Sequence, residues 1–314
     1  MPPRLRVATR GSRLARTQAN QVLDLLRVPG ELVVVATTGD LRDDVELHRM
    51  GGVGVFVREV QQAVLDGRAD IAVHSAKDLP PRPTEGLELI AIPTREDPRD
   101  ALVGNRLDDI PVGGVIATGA VRRQAQLAGY RPDLRFAPLR GNIETRLDKA
   151  PSFDAIVVAV AALARLGLSD HVAEILSSTV MVPQVGQGAL AVECRSDDPR
   201  IRKHLGVLDD PAARSELTAE RAFLAAIGGG CDMPCGAWAR SADSESLMLT
   251  GMLATLDGRV VLRAERRGSD PVRLGEEMAH HLWVECGGRD LVGCTTLASA
   301  GSVTDSDVVV ERPV

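Results

Sequence analysis

An adjacent lysine and aspartate, Lys77 and Asp78, stand in a turn just past the buried strand that begins Asp70-Ile71-Ala72-Val73. In an open α/β sheet the space beyond a strand's carboxyl end is where ligands sit. A cation and a carboxylate placed there can bind an ionic ligand or move a proton. The bland alternative is a solvated turn with an exposed ion pair, worth little. Other charges repeat the placement. Arg10 follows the first apolar run. Arg122 and Arg123 open a helical stretch after the strand at 115–118. Arg140 follows the strand at 134–139, with Arg146 one helix turn further on, and Arg165 follows AIVVAVA at 155–161. Each alone is an arginine in an arginine-rich chain. As a set they predict a cleft for a small ligand with several carboxylates or phosphates, which guanidinium forks recognise well. One carboxylate among them, Asp78, is placed to stabilise a cationic intermediate.

The elements that must position these residues follow a strand-helix-strand rhythm, hence parallel sheets covered by helices. Leu5 to Thr9 reads as a strand. Ser12 caps a helix running to about Arg27, and Glu31 to Thr37 is a β-branched strand. A polar stretch at 38–54, ending Gly51-Gly52-Val53-Gly54, is read as a lid. A helix from Phe56 to Leu65 and strands at 71 and 87–92 complete a first half. After the crossing Arg95–Arg99 the rhythm repeats: a strand at 115–118, a helix over 120–127, a strand at 134–139, a helix capped by Asn142, and a strand at 155–161. Val185-Gly186-Gln187-Gly188 is a second hinge, and the strand at 189–194 is expected to return to the first half. Two crossings make a clamshell with the ligand between its halves. A helix at 213–227, antiparallel strands at 247–254 and 259–265, and a helix at 272–286 form a smaller α+β domain. The expected domains are 1–96 with 188–210, then 97–187, then 211–292, with a tail at 293–314.

Composition excludes several function classes. The chain has 314 residues, 44% hydrophobic and 25% charged, as in ordinary globular proteins. Only 2% of residues are aromatic and the net charge is -6. Too few stacking platforms and an acidic balance argue against nucleic-acid partners. Of the 37 basic residues only Lys77, Lys149 and Lys203 are lysines. No secretory leader or membrane-spanning run is read, and the five cysteines point to a reducing cytoplasm.

Cys231 ends the run Gly228-Gly229-Gly230, where backbone freedom exposes a thiol that can carry a covalent group. Cys235 lies four residues on, without the second ligand pair that a zinc site needs, so no metal is expected. On spacing alone, incidental cysteines in a glycine-rich turn is the stronger reading. Cys194, Cys286 and Cys294 read as structural or incidental, and His74 as a core histidine. No nucleotide-binding glycine loop is present.

The motifs ATRGSRLA (8–15), GVFVRE (54–59), DIAVHSAKDLP (70–80), REDPRDA (95–101), VRRQAQL (121–127), LRGNIETRL (139–147), VGQGA (185–189), AERAF (219–223) and GGGCDMP (228–234) closely resemble the porphobilinogen deaminase (hydroxymethylbilane synthase) family. The resemblance runs to about residue 292. It implies two α/β domains like type 2 periplasmic binding proteins, forming a clamshell, plus a small α+β C-terminal domain. It implies a transferase of tetrapyrrole biosynthesis that joins four porphobilinogen molecules head to tail into hydroxymethylbilane, releasing ammonia. The family primes on a dipyrromethane held by a thioether, which motif position assigns to Cys231. By the same resemblance Asp78 is catalytic, aided by Lys77. Lys77, Asp78, Arg122, Arg123, Arg146 and Ser12 bind the cofactor. Arg10, Arg140, Arg165 and Phe56 meet substrate or growing chain. A cytoplasmic monomer passing its product to uroporphyrinogen-III synthase is expected. Three departures from the family pattern stand out: Val53 in place of lysine, Ala117-Thr118-Gly119-Ala120 in place of Gly-Thr-Ser-Ser, and Met233 with Cys235 in the cysteine loop. Two other classes compete. A non-catalytic anion-binding clamshell would have no need of the cysteine loop. A ligand-sensing regulator would need a helix-turn-helix, whereas this chain opens on a strand.

Overall fold

A computed structural model describes residues 4–37, 57–229 and 233–292. The stretch read as a lid, Phe56, Val53, Cys231, Cys294 and the tail at 293–314 lie outside the described residues.

The first strand, β1 (Leu5–Arg10), is buried along most of its length. Its register against the third is fixed by Asp70, which accepts from the Arg6 backbone N–H at 2.8 Å and from Arg6 Nη2 at 2.7 Å. The helix α1 (Arg13–Leu26) starts where the Ser12 hydroxyl accepts the Ala15 N–H, and ends at Arg27 in the left-handed region. Then come β2 (Gly30–Val35), α2 (Arg58–Leu65), β3 (Ile71–Ser75) and β4 (Leu87–Ala91). The alternation of a strand, period two, sorts the core. Val7, Ile71 and Val73 face Ala19 and Val22 of α1 on one side of the sheet. Ala8 and Ala72 face Val60, Ala63 and Val64 of α2 on the other.

The second series is β5 (Asp100–Gly104), β6 (Val115–Ala117), α3 (Val121–Tyr130), β7 (Arg135–Ala137), α4 (Ile143–Lys149), β8 (Ala155–Ala159), α5 (Val160–Leu166) and β9 (Glu174–Ile175). The apolar run expected to be strand to residue 161 stops at Ala159. The alanine-rich stretch that follows is helix, so Arg165 lies in the last turn of α5 and not beside a strand end. β10 (Leu190–Arg195) then takes a place between β3 and β4.

The two five-stranded sheets have one plan. The first is ordered β2-β1-β3-β10-β4 and the second β7-β6-β8-β5-β9. In each, the first three strands are parallel and the fourth runs against both neighbours. That reversed strand therefore starts at the edge where the parallel strands end, so it delivers its first residues there.

After α6 (Pro199–Leu205) and α7 (Pro211–Ile227), a meander of β11 (Cys235–Ser241), β12 (Leu247–Ala254) and β13 (Val261–Gly268) forms a third sheet. Its apolar face packs on α7 and on α8 (Pro271–His280) around Phe223, Leu249, Leu253 and Met278. A π-helical turn, His281–Glu285, and α9 (Gly288–Val292) follow. Cys235, expected to be incidental, is buried as the first residue of β11.

The chain divides into two compact units. One contains residues 1–98, 160–170 and 186–214, hence the first sheet. The other contains 99–159, 171–185 and 215–314, hence the second and third sheets.

Candidate active site

In the first unit the expected site residues gather at one edge of the sheet. β1 ends on Arg10, and Ser12 caps α1 just beyond it. β3, parallel to β1, ends on Ser75, whose hydroxyl accepts from Gln18 of α1 at 2.9 Å. A tight turn, Ala76–Asp78, follows at once and carries Lys77 and Asp78. Both side chains are half-buried. Lys77 Nζ donates to Gln187 Oε1 at 3.3 Å. The Asp78 carboxylate has no hydrogen bond or ion pair among the described residues. The carboxylate next to the anchored cation is thus open to a ligand.

Gln187 is fully buried and holds this edge together. Its Nε2 donates to the Pro98 carbonyl at 2.6 Å, and its own carbonyl accepts from Arg95 Nε at 3.0 Å. The glycines on either side permit the approach. Gly186 has φ of +72° and a Cβ there would stand 3.0 Å from Lys77 N. Gly188 has φ of +86° and a Cβ there would stand 2.3 Å from the Glu96 carbonyl oxygen. Arg165 reaches the same place from α5, donating through Nη2 to the Gly188 carbonyl at 2.8 Å. Burial pulls its guanidinium below the usual arginine range, an effect Glu96 opposes.

In the second unit Arg122 and Arg123 lie in the first turn of α3 but are buried, at 4% and 6% exposure. Both bind one carboxylate, Asp100, which is itself fully buried. Asp100 Oδ2 accepts from Arg122 Nη2 at 2.7 Å. Asp100 Oδ1 accepts from Arg123 Nε and Nη2 at 3.0 and 2.7 Å. Arg122 Nη1 also donates to the Val182 carbonyl and Arg123 Nη1 to that of Val157. Asp100 opens β5, the reversed strand, opposite Ala159 at the end of β8. It therefore reaches this edge for the reason Gln187 reaches the other. The Thr118 hydroxyl accepts the Ala120 N–H, so the hydroxyl retained in the altered tetrapeptide supports the entry to α3.

Arg140 and Arg146 flank a turn after β7. Asn142 caps α4 by accepting the Thr145 N–H at 2.9 Å, and Arg146 Nε donates to the Gly141 carbonyl at 2.9 Å. Both arginines are half-buried. Phe56 and Cys231 lie outside the described residues. His74 is buried, with Nε2 3.1 Å from Glu193 Oε2, a carboxylate that Gln61 also holds at 2.8 Å. Sequence reasoning assigned no role to Gln187 or Asp100, although both lie in motifs it quoted. The available signal was a polar side chain at or just before the start of each reversed strand.

A guanidinium has five N–H donors. The bonds above use three on Arg123 and two on Arg122, and two buried cations share one carboxylate. Burial pulls Arg122 below the ordinary arginine range against the opposing pull of Asp100. A donor set with surplus positive charge and unused N–H groups fits an acidic ligand.

A family model described as "Porphobilinogen deaminase, dipyromethane cofactor binding domain" matches residues 5–203. A second, "Porphobilinogen deaminase, C-terminal domain", matches residues 215–283. A protein of Roseiflexus castenholzii named porphobilinogen deaminase is 46% identical over 300 residues, covering 92% of this chain and 98% of that protein. One of the same name from Syntrophus aciditrophicus is 42% identical over 300 residues, covering 92% and 97%. Among solved structures, a periplasmic His/Glu/Gln/Arg/opine family-binding protein from Silicibacter pomeroyi gives a TM-score of 0.35 at 14% identity, covering 65% of this chain and 88% of that one.

Proposed function

The chain belongs to the porphobilinogen deaminase family, and from that premise we propose how its residues divide the work of the family reaction. The enzyme is a transferase that condenses four porphobilinogen molecules into hydroxymethylbilane with release of ammonia, in tetrapyrrole biosynthesis. When bound through Cys231, a dipyrromethane supplies the pyrrole carbon on which the chain grows. The observation that carries the reading is the half-buried, unpartnered Asp78 carboxylate beside an anchored Lys77 at the edge of the first sheet.

Asp78 holds negative charge where a cation develops on porphobilinogen as ammonia departs. It then accepts the proton released when the new carbon–carbon bond forms. Lys77, hydrogen-bonded to Gln187, balances that carboxylate and binds acidic side arms of the cofactor. Arg122 and Arg123, fixed by Asp100, offer their unused N–H groups to cofactor carboxylates, and Arg146 and Ser12 add to them. Arg10, Arg140, Arg165 and Phe56 receive incoming porphobilinogen and the lengthening product. Each added unit brings two carboxylates, which is why one lysine and many arginines serve a single reaction.

The working domains are 1–96 with 188–210, 97–187, and 211–292. Support comes from the repeated sheet plan and from the separate core of the third sheet. The enzyme works as a cytoplasmic monomer, binds neither nucleic acid nor membrane, and passes its product to uroporphyrinogen-III synthase. Among the described residues no helix is long and apolar enough to cross a membrane. The test is intact mass. Purified protein should exceed its sequence mass by one dipyrromethane, and Cys231→Ala should remove the excess. An active wild-type protein of unmodified mass would overturn the reading.

A further inference from the structure

We infer that Cys286, remote in sequence from every residue assigned above, is a modification site: a base-assisted thiol that forms mixed disulfides with small disulfide-bearing molecules. α8 does not simply end. Its backbone widens into a π-helical turn over His281–Glu285, and the Cys286 N–H donates to the His281 carbonyl at 2.9 Å, five residues back. Such turns are rare in helices and are enriched at functional sites. This one brings His281 and Cys286 to the same side, with Cys286 Sγ 3.6 Å from His281 Nε2. The other ring nitrogen, Nδ1, lies 2.6 Å from Glu285 Oε2. The hydrogen bond to His281 holds the Glu285 carboxyl below the usual range, so Nδ1 faces a carboxylate that orients the ring while Nε2 faces the thiol. Nucleophile, base and a third group orienting the base are the parts of an activated nucleophile.

The surroundings suit a reagent arriving from solvent. The His281 side chain is 14% exposed and that of Glu285 51%. Cys286 is half-buried and packs against the third-sheet core, as do Trp283 and Leu291. Among the described residues, His280 Nε2 lies 3.6 Å from Glu285 Oε1, and Arg266 Nη2 on β13 lies 3.9 Å from Glu285 Oε2. Arg289 and Asp290 on α9 are exposed. The other described cysteines are built differently. Burial pushes the Cys194 thiol up to about 11, and Cys235 is enclosed in the core.

In the reaction His281 Nε2 takes the Cys286 proton, and the thiolate attacks one sulfur of the disulfide. A bond forms from Sγ to that sulfur as the original sulfur–sulfur bond breaks. The departing thiolate takes the proton back from the imidazolium. Cys286 is oxidised and half of the reagent is reduced to a thiol.

The probe is dithiobis(nitrobenzoate) added to the holoenzyme at neutral pH, with Cys286 occupancy followed by peptide mass spectrometry. His281→Gln should slow the appearance of the adduct about tenfold or more, and Glu285→Gln less, while both keep wild-type porphobilinogen turnover as evidence of folding. The wild-type rate should level off below the ordinary thiol midpoint of about 8.5. An unmodified Cys286, or equal rates in wild-type protein and a normally active His281→Gln, would overturn the proposal. Should that variant fail to fold, a wild-type rate still rising through about pH 8.5 overturns it equally.

Discussion

Asp78 and Asp100 are both carboxylates with cations beside them, and they differ in what they offer a ligand. Asp100 is fully buried and takes three guanidinium N–H bonds. Removing it leaves two buried arginines without a counter-charge, so Asp100→Ala should lower stability by about 3–5 kcal/mol in denaturant titrations. Asp78 has no such partner and contributes little to folding. Asp78→Asn should keep the wild-type unfolding midpoint and the extra mass of the cofactor, while turnover falls by about 10² to 10³. Near-normal bilane formation by that variant would refute its role. The difference between the two aspartates was only half legible. Lys77 and Asp78 stand out because they follow an apolar strand so closely. Asp100 is spoken for by Arg122 and Arg123, more than twenty positions away, and no local pattern records that. The type and spacing of Arg122 and Arg123 pointed to an exposed anion grip. Their burial followed from β5 running against β8, a long-range pairing.

At the scale of elements, β-branched runs such as Ile71–Ser75 and Ala155–Ala159 announced themselves. Boundaries inside alanine-rich sequence did not. Val160-Ala161-Ala162-Leu163 extends an apolar run equally well as strand or helix, and only packing makes α5 helical. β5 and β11 were passed over because Asp100-Ala101-Leu102 and Cys235-Gly236-Ala237 lack alternation and carry little β-branching. The crossing segment at 185–188 was read as a hinge from its glycines. Its second role, bracing Lys77 through Gln187, rests on contacts with Lys77 and Pro98 about ninety or more positions away, which no local pattern records. A methyl group at Gly188 would meet the Glu96 carbonyl oxygen at 2.3 Å on a backbone with φ of +86°. Gly188→Ala should therefore cost about 1–3 kcal/mol in equilibrium unfolding and lower activity through the displaced brace. An unchanged midpoint would show that the crossing is not tightly packed.

For the whole molecule, acid should be the more damaging direction of pH. Asp133 is held below the ordinary carboxylate range chiefly by Arg131, Asp210 by the Ala213 N–H, and Glu265 by Thr250 and then Arg240. A carboxylate whose folded value is depressed adds stability above its unfolded value and loses it as pH falls through the folded one. The melting temperature should be level from about pH 7 to 5 and drop below about pH 4; a flat profile to about pH 3 would contradict these assignments.

The place of β10 has a bearing on how the protein is made. The second sheet has all its strands once synthesis passes Ile175, whereas the first, begun at Leu5, lacks its fourth strand until Leu190–Arg195 emerges. On the ribosome, the later sheet is the earlier to be completed. Until then β3 and β4 are separated by an empty lane, and Lys77 waits for Gln187. A nascent chain halted between these two points would hold one finished sheet and one sheet edge still open to chaperones.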